Sequence, residues 1–280
     1  MKISVCLPVF GREKMLQQAI HSILLQEHED WEIIVRDDGS EKRVIDNPQV
    51  KKLFDFVGPR LKYFYEPHLA TFSRVANATL KHATGEIFHV MGSDDVLAPS
   101  ALYTVNQVFQ EYYESTDRAP MWAFGKTLST KDHLEFDGLD GEPTSYEAML
   151  QKNHIGIPSV FWNRPIMNLV GKFDPRIKWA ADYDLWLRFY TVVPPTFINQ
   201  ELGIYRHHND RMSVERAKEI EVEAKFISPR HQMFKDIMIR AQRRLLTLHE
   251  YDGESIPISH DEIQKMRVEL GNHEYDPEHA

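Results

Sequence analysis

The chain has 280 residues, enough for one large domain or one domain with a small appendage, and its 42% hydrophobic content can form a sizeable core. With 42 Asp and Glu against 33 Lys and Arg, the net charge is −9, so long nucleic acid is not expected as a partner. The single cysteine, Cys6, excludes a disulfide within the chain.

Residues 2–9 carry Ile3, Val5, Leu7 and Val9 and read as a buried strand. Pro8 interrupts this apolar run and no small-residue cleavage site follows, which argues against a signal peptide. Cys6 lies inside the run as a small buried hydrophobe, consistent with a reducing cytoplasm. Residues 13–26 place Met15, Leu16, Ala19, Ile20, Ile23 and Leu24 on one helical face. Trp31–Val35 is a second apolar strand and ends at Arg36-Asp37-Asp38-Gly39-Ser40. Strand, helix and strand within about 35 residues predict a βαβ unit with parallel strands.

The rhythm repeats with a strand at Leu61–Tyr65 and a helix over 72–83, for which Gly85 is a candidate C-terminal cap. A strand at Ile87–Met91 runs into Gly92-Ser93-Asp94-Asp95, and Pro99-Ser100 open a helix through about Tyr113. The expected fold is therefore α/β, an open and mostly parallel Rossmann-like sheet flanked by helices.

Beyond residue 120 the alternation loosens. Trp122–Thr127 reads as a strand, 131–143 as a polar, Gly-rich stretch and 145–152 as a helix. Ser159–Trp162 is a short strand, Pro165–Val170 a short helix and Ala181–Tyr190 a helix broken by Pro194-Pro195. Phe197–Tyr205 returns to the sheet. Residues 214–250 predict two charged, solvated helices separated at Pro229, and the acidic stretch from 271 onward is expected to be disordered. No segment approaches the roughly 18 apolar residues of a membrane span, so a soluble, cytoplasmic protein is expected.

Three polar clusters follow three predicted strands: Phe10-Gly11-Arg12, Asp37-Asp38-Gly39-Ser40 and Ser93-Asp94-Asp95. In doubly wound sheets ligands gather at the carboxyl ends of strands, so the topology should bring these clusters together. Adjacent carboxylates repel unless a cation relieves them, and their oxygens suit Mg²⁺ or Mn²⁺. A solvated turn explains Ser93-Asp94-Asp95 about equally well when it is taken alone. Asp-Gly at 38–39 is by itself a common turn signal. Asp182 and Asp184 stand at the start of a helix, where acids favour the helix dipole; the functional alternative is a general base facing a cleft. His207 and His208 lie in the dense polar stretch Tyr205–Arg211, and neighbouring strand residues face opposite ways, so at most one should point into a site.

In this order and spacing, the set resembles the inverting glycosyltransferases of the GT-A fold, specifically the large family 2. The landmarks are Ser4–Phe10, Ala19–Gln26, Trp31–Ser40, Asn77, Ala83–Glu86, Ser93–Pro99, Gly171–Asp174, Asp182–Arg188 and Tyr205–Ser213. The resemblance covers residues 2–213. It implies a glycosyltransferase domain over 1–213, a helical extension over 214–270 and a tail at 271–280. It also implies a nucleoside diphosphate-sugar donor, with UDP-sugar favoured, and transfer of a hexosyl or N-acetylhexosaminyl group. The acceptor would be a hydroxyl of a glycan or glycolipid, with peripheral membrane contact as an option. Pro8, Phe10 and Asp38 would surround the nucleotide base, and Asp94 and Asp95 match the metal- and ribose-binding acids. Asp182 matches the catalytic base. His208 matches the C-terminal histidine that completes a Mn²⁺ or Mg²⁺ site, with His207 the close alternative.

The sequence also departs from the family pattern. Gly92 stands where many relatives have Asp, Ala181 where they often have Glu, and Gly11 where Asn is usual. Those departures motivate an alternative reading, a nucleotide-sugar or glycan-binding module without turnover. A nucleotidyltransferase of the same architecture ranks below both, because Phe10-Gly11-Arg12-Glu13 is a poor match to a Gly-rich, basic phosphate loop.

Overall fold

The computed structural model describes residues 1–130, 136–208 and 215–249. Its N-terminal half is built by period-two strands that bury both faces. In β1 (Ile3–Val9), Ile3, Val5 and Leu7 enter one core while Cys6 enters the other. In β2 (Trp31–Asp37), Ile33 and Val35 join the first core and Ile34 the second. Strands buried on both faces belong to a parallel sheet covered by helices on each side. α1 (Glu13–Leu24), α2 (Pro48–Val57) and α4 (Ala101–Thr116) cover one face. α3 (Phe72–Leu80), α5 (Tyr146–Gln151), α6 (Arg164–Val170) and α7 (Ala181–Tyr190) supply the other core, where the buried rings of Trp122 and Trp186 stack 6.0 Å apart.

The remaining strands are β3 (Leu61–Tyr65), β4 (Ile87–Val90), β5 (Val96–Leu97), β6 (Trp122–Thr130), β7 (Phe136–Asp140), β8 (Val160–Asn163) and β9 (Thr196–Arg206). They form one sheet in the order β3-β2-β1-β4-β8-β6-β9-β5, with β7 paired to β6. The first four strands are parallel, and β8 and β5 are antiparallel to their neighbours. β2 and β4 flank β1 on opposite sides, so the chain reverses its winding direction between β1 and β4. The loops leaving those two strands diverge and open a crevice at their carboxyl ends. The result is a curled, mixed sheet flanked by helices, and it keeps the mostly parallel, Rossmann-like character that the sequence predicts.

Several details differ from expectation. The segment after Ser40 contains a further helix, α2, whose start is set by Asn47 accepting from the Gln49 and Val50 N–H groups ahead of Pro48. The polar stretch after 130 contributes β7, and residues 131–135 lie outside the described residues. α3 ends at Leu80, and Gly85 is not its cap. Gly85 instead lets the chain cross β1 closely: a Cβ there would stand 2.6 Å from the Lys2 carbonyl oxygen. One helix, α8 (Ala217–His249), contains Pro229 where two helices were expected. Among the described residues, no helix is long and apolar enough to cross a membrane. The stretches 209–214 and 250–280, including the tail expected to be disordered, lie outside the described residues. By contacts the chain forms two compact units, Met1–Ser228 and Pro229–Ala280. Everything that follows concerns the first.

Candidate active site

The parallel register sets the position of the site. Val9 pairs with Asp37 and Cys6 with Val90, so the loops after β1, β2 and β4 emerge at one edge. Gly11 and Arg12 both have positive φ, 62° and 60°, which turns the chain sharply into α1. The Gly11 N–H donates to Ser40 Oγ at 2.7 Å and joins the first loop to the second.

The two acids of the second loop divide the work. Asp37 is buried and fully engaged, accepting from the Ser40 and Val44 N–H groups and from the Tyr63 hydroxyl. Asp37 thus shapes the loop. Asp38 faces the crevice. Its carboxylate accepts from the Leu69 N–H at 3.0 Å and meets His68 Nδ1 at 2.7 Å. Burial raises the Asp38 carboxyl above its ordinary range, against the pull of the Leu69 N–H and His68. The Phe10 ring is 56% exposed and rests 4.9 Å from the His68 ring, leaving an aromatic face open to a planar ligand.

The third loop is held from a distance. β5 follows it immediately and pairs antiparallel with β9, Val96 opposite Ile204. That pairing brings Asp94 and Asp95 to the residues ending β9. Asp95, almost fully buried, accepts the Arg206 N–H at 3.2 Å. Asp94 Oδ2 meets Arg12 Nη1 and His208 Nε2, each at 3.0 Å. His207 stays with β6 and β9: its N–H donates to the Thr130 carbonyl and its ring lies 5.2 Å from that of Tyr205. Arg206, 3% exposed, lies beneath this loop. It donates to the carbonyls of Asp94 and Met15 and to the Gln18 side chain, tying β9, the third loop and α1 together.

Asp182 comes from the far wall, on the first turn of α7. Its Oδ1 accepts the Tyr183 N–H at 2.8 Å, and burial pushes its carboxyl up to about 6. Asp184, two residues on, points into the protein and pairs with Arg188 Nε at 2.9 Å. Of the two acids in this helix only Asp182 lines the cavity. That cavity, about 1240 Å³, collects Pro8, Phe10, Asp38, Asp94, Asp95 and Asp182 on its walls.

Among the described residues, no three His, Cys, Asp or Glu side chains converge as a metal site. Asp94, on the cavity wall, nevertheless has its carboxylate oxygen 3.0 Å from the His208 ring nitrogen. Two protein donors suit a hard divalent ion that takes its other ligands from phosphates and water. Gly92 is part of this arrangement: a Cβ there would come within 2.3 Å of Asp94 Oδ1. The space that a side chain at 92 would need is thus filled by the Asp94 carboxylate.

Sequence reasoning missed the roles of His68 and Arg206. His68 belongs to no recognisable pattern, and Arg206 reads as one of several polar residues in Tyr205–Arg211. Burial of that guanidinium under a loop more than 100 residues away leaves no local signal.

Residues 4–166 match glycosyl transferase family 2. The chain belongs to this family. Its family 2 relatives include a GalNAc(5)-diNAcBac-PP-undecaprenol beta-1,3-glucosyltransferase of Campylobacter jejuni, 30% identical over 216 residues that cover 73% of this chain and 64% of that protein. An uncharacterized glycosyltransferase of Rickettsia conorii is 24% identical over 75% of this chain, which spans 35% of that protein's length. Solved structures share the GT-A fold. TarS 1–349 of S. aureus in complex with UDP superposes with a TM-score of 0.60 at 17% identity, covering 97% of this chain and 80% of that one. The mannosyltransferase PcManGT from Pyrobaculum calidifontis, in complex with GDP-Man and Mn²⁺, gives 0.55 at 13% identity over 95% of this chain and 69% of that one.

Proposed function

We propose that this chain is a metal-assisted inverting glycosyltransferase that moves a sugar from a UDP-sugar to a hydroxyl of a glycan or glycolipid acceptor. One observation carries the reading: a single cavity has an open aromatic face and Asp38 on one wall, Asp94 at its rim and a partly exposed Asp182 opposite. The ligands bound in the structural neighbours, UDP, UDP-GlcNAc and GDP-Man with Mn²⁺, support a nucleotide-sugar donor. The Campylobacter relative, named for a lipid-linked acceptor, supports a glycolipid as one acceptor class.

The base stacks on Phe10 beside Pro8, and Asp38 accepts a hydrogen bond from it. Asp94 and His208 would hold the divalent ion, whose charge supports the departing diphosphate. Asp182 accepts the proton of the acceptor hydroxyl. The acceptor oxygen forms its bond to the anomeric carbon from the side opposite the diphosphate, and the bond to the diphosphate oxygen breaks. The transition state is oxocarbenium-like, and a single displacement inverts the anomeric configuration.

Thermal melting with UDP, GDP, CDP or dTDP, each with and without Mn²⁺, tests the donor half of this reading. UDP with Mn²⁺ is expected to raise the melting temperature most, because a ligand of the folded state stabilises it by mass action. No shift with any diphosphate would defeat the proposal. A UDP shift without turnover on a broad acceptor panel would favour the binding-module reading.

Gly92 gives a second test. Gly92→Ala must displace the Asp94 carboxylate, because the new Cβ meets its Oδ1 while Oδ2 holds Arg12 and His208. Because the displaced atoms are the end of a side chain, the unliganded protein should melt within a few degrees of the parent. Mn²⁺-dependent UDP affinity, measured by calorimetric titration, should fall about tenfold, in line with loss of one oriented metal ligand. Unchanged affinity would remove Asp94 from the metal role.

A further inference from the structure

Asp182 sits on a helix that lacks a cap of its own. The residue before α7 is Ala180, which has no side-chain acceptor for the free N–H groups of the first turn. The N–H groups of the three residues that lead into the helix are instead held by a carboxylate from another element. The Glu223 carboxylate accepts the N–H of Lys178 at 2.9 Å, of Trp179 at 2.7 Å and of Ala180 at 2.9 Å.

The sequence around Glu223 explains how it reaches this place. Ile220, Ala224 and Ile227 recur at helical spacing and pack α8 against the core that also buries α7. Glu223 falls on the same face, while Val222 and Phe226 point to solvent. Ile220 and Ala224 line the cavity together with Trp179, Ala180 and Asp182. The start of α8 is therefore a wall of the cavity, although it lies outside the matched residues 4–166.

We infer that Glu223 is a positioning residue for Asp182, acting through the backbone of residues 178–180; this rests on Asp182 being the base. A carboxylate that accepts three consecutive N–H groups fixes the direction in which the chain enters α7. It also favours the positive end of the helix dipole. Removing it frees the segment that carries both Trp179 and the reacting acid. Misplacement of a reacting group by about 1 Å can lower the rate about a hundredfold.

The test compares Glu223→Ala, Glu223→Gln and Asp182→Asn by three readouts: kcat, the Kd for UDP with Mn²⁺, and acrylamide quenching of tryptophan fluorescence. Quenching reports on the segment directly, because Trp179 is partly exposed whereas Trp31, Trp122, Trp162 and Trp186 are buried. Glu223→Ala is expected to lower kcat about 10- to 100-fold, raise quenching about twofold and leave the UDP Kd within twofold. Glu223→Gln keeps one acceptor oxygen but turns an N–H donor toward the backbone, so its effects should be intermediate; it decides the matter if the alanine variant does not fold. Wild-type kcat and quenching in the Glu223 variants, with Asp182→Asn inactive, would overturn the positioning role alone. Turnover by Asp182→Asn would overturn the base assignment and this inference with it. A fall in UDP affinity equal to the fall in kcat would also overturn it, since that reports general loosening of the cavity.

Discussion

Asp182→Asn is expected to abolish transfer and, at neutral pH, to make the protein more stable. Loss of a positioned general base typically lowers the rate 10²- to 10⁴-fold. Asn keeps an oxygen for the Tyr183 N–H, so the helix start should survive the change. The stability effect follows from the raised carboxyl. Burial lifts it from 3.8 to about 6, so the folded state resists ionisation more than the unfolded chain does. Below pH 3.8 both states hold the proton and nothing is lost. As pH rises from 4 to 6 the unfolded chain ionises first and stability falls. Above pH 6 the full penalty applies, at most about 3 kcal/mol for that difference. Asn removes it, so the variant should melt several degrees higher at pH 7.5 and about equally at pH 4. The parent kcat/KM should rise with pH through a midpoint near 6 as Asp182 becomes a competent base. A variant that melts lower at both pH values would mark Asp182 as structural, and a flat acid limb would deny it the proton.

Much of the first half of the fold was legible because β1, β2 and β4 are buried on both faces and α1 shows one apolar stripe. β1, β2 and α1 need no distant partner to be recognised, and the three loops after β1, β2 and β4 follow from register alone. The sequence predicts α7 at its observed span, Ala181–Tyr190, because apolar residues recur there between large polar ones. Legibility fails where long-range packing decides. α2 starts at Asn47-Pro48, which reads equally as a turn. Among the acids, the family resemblance implies Asp38 and Asp182, but residue type and spacing alone cannot separate Asp37 from Asp38 or Asp182 from Asp184. The partners do: Ser40, Val44 and Tyr63 consume Asp37, and Arg188 takes Asp184.

Arg206→Met is expected to give the largest loss of stability, and donor binding should be lost with it. The guanidinium is buried and donates in three directions, to the Met15 carbonyl and Gln18 side chain of α1 and to the Asp94 carbonyl of the third loop. Hydrogen bonds from a charged donor contribute about 1.5–3 kcal/mol each, and buried acceptors left without donors add a penalty. A loss of about 3–5 kcal/mol is therefore expected on removing this group. Urea unfolding should show a lower midpoint at unchanged slope, which separates lost stability from an altered unfolded state. Lysine offers one compact ammonium in place of a planar fork, so Arg206→Lys should recover only a minor part. The functional consequence follows from the same geometry. Arg206 fixes the backbone of Asp94, and the Asp94 carboxylate meets Arg12 and His208. Once that backbone is released, Asp94 and His208 are no longer held together, and UDP affinity in the presence of Mn²⁺ should fall even at temperatures where the variant remains folded. A variant within about 1 kcal/mol of the parent would show that α1 and the third loop are held by other contacts. In that case the link from β9 to the cavity would have to run through the Asp95 carboxylate and the backbone N–H that it accepts.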